Sequence, residues 1–107
     1  MAYYVEVLFV ENQRLGVRFL DEEYKPLSKV EELNLRKKLN LPLSLSLSLK
    51  HLMPLVGNGK LKGFVIEKKR MAEYEEEDPE IYGLLKEIGV KVYDRREHPI
   101  YKTRPKR

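Results

Sequence analysis

The stretch Lys62-Gly63-Phe64-Val65-Ile66-Glu67-Lys68 decides the fold class, because it sets three large apolar residues in a row between charged ones. A short apolar run bounded by charges is typical of a strand that is buried on both faces. Such a strand lies in the interior of a sheet. We therefore predict an interior strand over residues 63–68.

The sequence after this strand predicts a helix followed by a parallel strand. Asp78 can cap a helix that has Pro79 in its first turn, and Gly89 can end it. The apolar stripe of this helix consists of Ile81, Leu84, Leu85 and Ile88. Residues 90–93 then form a strand, and a strand, helix, strand succession favours a right-handed parallel crossover. The acidic residues 73–78 are predicted to be a solvated segment.

Before the interior strand, two segments alternate as strands do. Residues 3–10 place Tyr3, Val5, Val7 and Phe9 on one face, with Tyr4, Glu6, Leu8 and Val10 on the other. After four polar residues, residues 15–20 alternate again, with Leu15, Val17 and Phe19 on one face. A hairpin is the simplest connection between two such segments.

Two segments between the hairpin and the interior strand are ambiguous. Residues 30–35 fit a short strand or the start of a helix, and we favour the strand. Residues 41–49 alternate leucine with serine or proline as a half-buried strand does, yet leucine favours helices. Because Asn40 can cap a helix and Pro54 can end it, we favour a helix over residues 42–54.

Together these segments predict an α/β fold. Its small mixed sheet opens with an antiparallel hairpin and continues with parallel strands linked by helices. The 107 residues are enough for one domain. We place that domain at residues 1–96 and interpret residues 97–107, which lack apolar periodicity, as a basic extended tail.

The composition excludes several classes of function. The chain has no cysteine, which excludes thiol redox chemistry and cysteine-ligated metal sites. No apolar run reaches the roughly 18 residues that a membrane span needs, so we expect a soluble, cytoplasmic protein. Charged residues make up 36% of the chain, and Glu and Lys outnumber Asp and Arg, which is typical of thermophilic proteins.

The net charge of +4 conceals a segregation of charge along the chain. Residues 41–70 carry 6 basic and 1 acidic side chains, residues 71–94 carry 2 and 8, and residues 95–107 carry 6 and 1. Two basic blocks therefore flank one acidic block. This pattern indicates either a polyanionic partner or pairing between the blocks within the chain.

Nucleic acid is the polyanion that the basic blocks favour. The candidate phosphate-binding residues are Lys60, Lys62, Lys68, Lys69 and Arg70 around the interior strand, with Arg95, Arg96, Lys102, Arg104, Lys106 and Arg107 after the last strand. Tyr93 and Tyr101 lie among the second group, and tyrosine rings can stack on unpaired bases. In the alternative interpretation these are solubilising surface residues.

Residues 14–21, Arg-Leu-Gly-Val-Arg-Phe-Leu-Asp, and residues 64–67, Phe-Val-Ile-Glu, carry a family resemblance. The first stretch resembles the second hairpin strand of the ribonuclease H-like fold as used by RuvC-type resolvases and their YqgF relatives. The second resembles the central strand of that family, with its metal-binding Glu at the end. The order of the predicted elements over residues 3–95 is similar as well.

The resemblance implies two-metal phosphodiester hydrolysis with Mg²⁺, in which Glu67 is a ligand. That family keeps an Asp in its first strand, where this sequence has Phe9, and the nearest acidic residue is Glu11. Its last acidic ligands come from a C-terminal helix, for which Asp94 is the available substitute. The candidate catalytic residues are therefore Glu67, Glu11 and Asp94, and the candidate metal ligands are Glu67 and Asp94. In the alternative interpretation each is a surface carboxylate paired with neighbouring Lys68, Lys69, Arg95 or Arg96.

Three functions follow from these observations. The first is a small basic nucleic-acid-binding protein without nuclease activity and without a cofactor. The second is a divalent-metal-dependent nuclease of the ribonuclease H-like type. The third is a protein–protein interaction factor or subunit, of the kind that viruses and mobile elements encode, which binds a protein partner or a second copy of itself.

Overall fold

The computed structural model describes residues 2–97, so the tail predicted over residues 97–107 lies, apart from its first residue, outside the described residues. The elements are β1 (Tyr4–Glu11), β2 (Arg14–Leu20), α1 (Lys29–Lys38), β3 (Ser46–Ser48), α2 (Leu49–Gly57), β4 (Gly63–Glu67), α3 (Lys68–Glu77), α4 (Pro79–Ile88) and β5 (Lys91–Tyr93). A short 3₁₀ helix, Arg95–Glu97, follows β5.

The five strands form one mixed sheet in the order β3-β2-β1-β4-β5. β2 is antiparallel to both of its neighbours, whereas β4 is parallel to β1 and to β5. The predicted small mixed α/β fold that opens with a hairpin is therefore confirmed. The interior strand is confirmed as well, because Phe64, Val65 and Ile66 of β4 are buried between two parallel neighbours.

A β-bulge in the hairpin changes which face some side chains occupy. Val7 pairs with Val17, but the register then shifts and Phe9 pairs with Gly16. Gly16 and Val17 are adjacent in β2 and therefore point to opposite faces of the sheet. Their partners Phe9 and Val7 consequently lie on opposite faces as well. The Phe9 ring covers Gly16 so closely that a Cβ atom at this position would clash with the ring. The prediction that Phe9 shares the face of Val7 is wrong.

The hydrophobic core lies on one face of the sheet, beneath α2, α3 and α4. Its members include Val5, Val7, Val17, Phe19, Phe64 and Ile66 from the strands, with Leu52, Met71 and Leu85 from the helices. The other face carries Tyr4, Glu6, Arg18, Val65, Glu67 and Tyr93, as the strand register requires. We call this second face the tyrosine face.

Residues 30–35 belong to α1, so the prediction of a short strand there is wrong. Ser28 and Glu31 form a capping box, in which each side chain accepts the backbone N–H of the other residue, at 3.2 and 3.0 Å. α1 lies beside the edge of β2 that β3 leaves unpaired. Glu32 accepts the backbone N–H of Phe19 there, at 3.4 Å. The helix therefore satisfies part of that edge.

The helix predicted over residues 42–54 is wrong in its first half. Residues 46–48 form β3, whose alternation follows the strand pattern, and α2 begins only at Leu49. The Ser48 side chain caps α2, and Pro54 lies inside that helix instead of ending it. Tertiary packing therefore outweighs the helix propensity of leucine in this segment.

The helix predicted over residues 79–88 is confirmed, and the acidic segment before it is solvated as predicted. The Asp78 side chain accepts the N–H of Ile81 at 3.2 Å, and Gly89 ends α4 with φ 79°. Leu85 is fully buried, and Ile81, Leu84 and Ile88 are partly buried. The acidic residues are largely exposed, as expected, yet they belong to α3 up to Glu77. The predicted parallel strand is present as β5.

Candidate functional site

Glu6 is a carboxylate in the middle of β1 that is only 2% exposed. Its Oε1 accepts hydrogen bonds from Arg18, with Nε at 2.9 Å and Nη2 at 2.8 Å. Its Oε2 accepts a hydrogen bond from the hydroxyl group of Tyr93. A buried carboxylate is costly unless it is paired and hydrogen-bonded. These partners, drawn from β2 and β5, compensate the burial and join three strands through one side chain.

Arg95 links Glu6 to Glu67 on the same face of the sheet. Its Nε donates to Glu67 Oε2 at 2.7 Å, and its Nη2 lies 3.7 Å from Glu6 Oε2. The side chain of Glu67 is 28% exposed. Glu6 pairs with Val65, so Glu67 is two positions further along the neighbouring parallel strand. The fold therefore brings the Glu6 carboxylate near Glu67, with Arg95 between them.

Glu11, the predicted partner of Glu67, lies elsewhere. It is the exposed last residue of β1 and pairs with Arg14 in the hairpin. The register of β1 and β4 sets Glu67 roughly beside Leu8, three positions before Glu11, which corresponds to about 10 Å at about 3.3 Å per residue. The described residues do not bring Glu11 and Glu67 into one site.

Glu67 and Asp94 both line a cavity of about 640 Å³ where β4 and β5 end. We call it the basic cavity, and its lining consists of Glu67, Lys68, Lys69, Ala72, Asp94, Arg95 and Arg96. Four cationic side chains face two carboxylates there. Asp94 accepts the backbone N–H of Arg96 at 2.9 Å, and the Arg96 guanidinium lies 3.5 Å away. These contacts hold the pKa of Asp94 below its usual value.

The start of α3 adds to the positive potential of the basic cavity. Glu67, at the N-cap position, makes no side-chain hydrogen bond to the first turn. That turn carries Lys68, Lys69 and Arg70, all exposed, where the helix dipole favours acidic residues. Backbone N–H groups and cationic side chains therefore favour an anion at the same place.

Three tyrosine rings form a row on the tyrosine face. The centroids of Tyr4 and Tyr24 are 4.7 Å apart, and those of Tyr24 and Tyr93 are 5.9 Å apart with planes inclined by only 3°. Lys62 Nζ lies 5.6 Å from the centre of the Tyr4 ring. All three rings are half-buried. We call this arrangement the tyrosine row.

The hydroxyl groups of the row are fixed by the groups around them. Burial, and then the hydrogen bond to the Glu6 carboxylate, raise the pKa of Tyr93 above its usual value. Burial, and then a hydrogen bond with Tyr4, raise the pKa of Tyr24. The hydrogen bond from the Tyr93 hydroxyl to Glu6 fixes the end of the row that lies on β5.

Tyr24 reaches the row from a rigid turn between β2 and α1. The Asp21 side chain accepts the N–H groups of Glu23 and Lys25, at 2.8 and 3.0 Å. Tyr24 itself has φ 66°, a conformation that costs a bulky residue roughly 1–3 kcal/mol. The turn therefore holds this ring against the sheet at some expense in backbone energy.

The other predicted binding residues divide into two groups. Lys60 and Lys62 are exposed and precede β4, so they lie at the opposite end of that strand from Lys68, Lys69 and Arg70. The remaining predictions, Tyr101, Lys102, Arg104, Lys106 and Arg107, fall outside the described residues. The fold thus gathers four predicted cations at the basic cavity, sets Arg70 in the adjoining first turn of α3, and leaves two at the other end of the strand.

Sequence reasoning missed Glu6, Arg18, Tyr4 and Tyr24. A usable signal existed for Glu6, which is charged and stands between valines in an apolar strand. Its pairing with Arg18 depends on the bulge, and the approach of Tyr24 depends on the turn, so neither follows from alternation alone. Among residues 2–97, no group of three or more His, Cys, Asp or Glu side chains is placed to hold a metal ion.

The longest helices have 10 residues, about half of the roughly 20 that a bilayer requires, so no helix of the described chain could span a membrane.

Comparison with protein-family models, with curated protein sequences and with solved structures finds no significant match to this chain.

Proposed function

We propose that this protein is a small basic nucleic-acid-binding protein without nuclease activity. The observation that carries the proposal is the basic cavity, where four candidate phosphate-binding side chains converge. Lys and Arg side chains and helix N-termini are the groups that bind nucleic-acid phosphates in proteins. The cavity also lies outside the carboxyl ends of parallel strands, which is where open α/β sheets bind ligands.

The position of Arg95 supports binding without cleavage. Two-metal hydrolysis needs several carboxylates that hold two ions about 4 Å apart. Here a guanidinium lies between Glu6 and Glu67, so the positive charge that a metal ion would supply comes from the chain itself. Asp94 is engaged by Arg96. The rival nuclease would have to displace both arginines before its ligands could converge.

A ribonuclease H-like fold is part of this proposal. It is supported by the hairpin at the start of the sheet, by the short third strand, and by the buried β4 that ends in Glu67. The position that the family fills with Asp holds Phe9, whose ring covers Gly16. A cytoplasmic location, where nucleic acid is the most abundant polyanion, accords with the proposal.

The proposal is tested by titrating the purified protein against labelled single-stranded, duplex and branched DNA and RNA, with and without Mg²⁺. We expect binding that weakens steeply with salt and does not depend on Mg²⁺. Turnover that requires Mg²⁺ or Mn²⁺ would support the nuclease instead. Absence of binding at low salt to every one of these probes would contradict the proposal.

Deletion of residues 97–107 is expected to weaken nucleic-acid binding and to flatten its dependence on salt. The deletion removes Lys102, Arg104, Lys106 and Arg107, and each lost phosphate contact lowers the logarithmic slope by about 0.7–0.9. Affinity measured across a salt series checks this. An unchanged slope would assign the segment to another role, and thermal unfolding of the truncated chain controls for loss of structure.

Glu67→Gln is expected to leave affinity equal to that of the parent or slightly higher. The substitution removes one negative charge from the basic cavity and weakens the pairing of Arg95, whose guanidinium then faces the ligand more freely. Parent and variant are compared for binding and for Mg²⁺-dependent cleavage. Clear cleavage by the parent that disappears in the variant would contradict the proposal and support the nuclease.

A second candidate function, association through a protein interface, is favoured by an apolar patch beside α1. Leu43 and Leu45 are exposed by 64% and 73%, and with Leu33 they border a groove of about 410 Å³. Val30 of α1, outside this lining, is exposed by 67%. We propose a second copy of this chain as the occupant. α1 carries acidic residues in its first turn and basic residues in its last turn, so two antiparallel copies would match opposite charges about a twofold axis.

Leu45→Asp tests this interface, because the side chain is exposed and its loss costs the fold little. We expect the parent to form dimers as its concentration rises, and the variant to remain monomeric in sedimentation equilibrium. Met53→Asp, an exposed apolar position on α2 outside the groove, is the matched control. A parent that is monomeric at all concentrations would contradict the second candidate.

A further inference from the structure

The sequence of α3 is self-complementary in charge. Residues 68–70, Lys-Lys-Arg, begin the helix, and residues 75–77, Glu-Glu-Glu, end it. The two triplets lie equally far from the midpoint of the helix, which falls between Ala72 and Glu73. Two such helices laid side by side in antiparallel orientation would therefore place cations beside carboxylates at both ends. Two parallel helices would place like charges together.

Both ends of α3 carry charges that the helix dipole disfavours. The dipole favours acidic side chains near the N-terminus of a helix and basic side chains near its C-terminus. α3 has no acidic residue in its first turn and no basic residue in its last turn, whereas α1, of the same length, has both. A partner that supplies the opposite charge at each end would compensate this arrangement in α3.

The charged side of α3 faces solvent. All six residues of the two triplets are exposed, and no ion pair within residues 2–97 includes any of them. Met71 and Tyr74 pack against the core from the opposite side of the helix. The exposed stripe opposite them, at the spacing of residues that share a helix face, consists of Lys69, Ala72, Glu73 and Glu76.

We propose that two copies of this chain pair through α3 in antiparallel orientation, and that the pairing closes the basic cavity to nucleic acid. A twofold axis at the midpoint brings Lys69 of one copy to Glu76 of the other, and symmetry repeats this contact. Ala72 is small, so the two backbones can approach closely at the axis. The helix dipoles are antiparallel as well, so each N-terminus lies beside the C-terminus of the partner helix.

Closure of the basic cavity follows from the position of α3, and this part of the inference rests on the proposed nucleic-acid binding. Lys68 and Lys69 line the cavity and belong to the first turn of the helix. Pairing sets the carboxylates of residues 75–77 of the partner copy against that turn, where the phosphates are proposed to bind. Nucleic acid then binds the unpaired chain and shifts the equilibrium away from the pair.

Sedimentation equilibrium of the Leu45→Asp variant tests the pairing, because this substitution removes the contribution of the apolar groove beside α1. The Debye length is about 30 Å at 0.01 M salt and about 8 Å at 0.15 M, so we expect pairs at the lower concentration and monomers at the higher. Lys69→Glu and Glu76→Lys, each added alone, should lower the association constant about tenfold, because each sets like charges together at two symmetric contacts.

An equimolar mixture of these two variants is the decisive measurement. The new carboxylate of one variant then faces the new cation of the other at both contacts, so the mixture should pair although neither variant pairs alone. Lys50→Glu and Glu87→Lys, exposed on α2 and α4, change the charge equally and should pair as the parent does, alone or mixed. A mixture that stays monomeric, or single variants that pair like these controls, would overturn the proposal.

Competition with nucleic acid tests the closure of the basic cavity. Short single-stranded and duplex DNA and RNA, each added in excess to the paired protein, should convert pairs into complexes that contain one chain. Complexes that retain paired chains would overturn the closure. If none of these probes binds, the proposed function fails while the pairing stands, since pairing is measured without nucleic acid.

Discussion

Glu6→Ala is expected to lower the free energy of unfolding by about 3 kcal/mol, because removing one partner of a buried ion pair costs about 3–5 kcal/mol. The lower end applies because the side chains of Arg18 and Arg95 are 34% and 43% exposed and can turn toward water. Tyr93 also loses its hydrogen-bond acceptor. Such a loss is a large part of the stability of a small domain, which is about 5–15 kcal/mol. Urea unfolding monitored by circular dichroism measures it.

Two comparisons make this result specific to the buried network. Glu11→Ala removes an exposed carboxylate from the same strand, and we expect a change within about 0.5 kcal/mol. Glu6→Gln keeps an acceptor for Arg18 and removes the charge, so its loss should be intermediate. A Glu6→Ala variant as stable as the Glu11→Ala control would show that the network contributes nothing to the fold.

Reversal of charge at the basic cavity, with Lys69→Glu and Arg96→Glu combined, is expected to weaken nucleic-acid binding by at least about 100-fold. Two hydrogen bonds to charged phosphates, each about 1.5–3 kcal/mol, are lost. Both side chains are exposed, Arg96 by 89%, so the fold should tolerate the change. The slope of affinity against salt should fall by about 1.5, since two phosphate contacts disappear.

The matched control is Lys50→Glu combined with Lys86→Glu. These lysines are exposed on α2 and α4, and they change the net charge by the same amount without lining the basic cavity. Affinity in fluorescence anisotropy should then fall far less than in the cavity variant. Equal losses in the two double variants would mean that binding follows net charge alone and has no preferred site.

Local signals predicted the second half of the fold well. The apolar run of β4 and the Asp78, Pro79 and Gly89 signals around α4 depend on neighbouring residues, so the sequence carries them directly. The capping box at Ser28 and Glu31 is equally local and indicates the start of α1. The strand prediction for residues 30–35 did not take this signal into account. Errors at residues 42–54 have another origin, because a leucine alternation fits a strand and a helix equally until its tertiary neighbours are known.

The candidate site was less predictable, because one inserted residue controls it. A two-residue turn at Asn12 and Gln13, both with positive φ, would by simple counting pair Glu6 with Phe19. The bulge moves the pairing to Arg18, which forms the ion pair with Glu6. Glu6 in turn accepts the hydrogen bond of Tyr93 on the tyrosine face. The segregation of charge along the sequence was enough to predict the cations of the basic cavity. Their position beside Asp94 depends on the order of the strands in the sheet, which local sequence patterns do not give.

The central position of β1 governs when this chain can complete its sheet during synthesis. β1 and β2 are adjacent in sequence, so their hairpin can close within about 1–10 μs once both segments have left the ribosome. The opposite edge of β1 pairs with residues 63–65, which emerge seconds later at about 5–20 residues per second. Throughout that interval an unpaired strand edge remains open to pairing with other nascent chains. The sheet therefore grows outward from its first-made strand, and chaperone protection is needed most while β4 is still being translated.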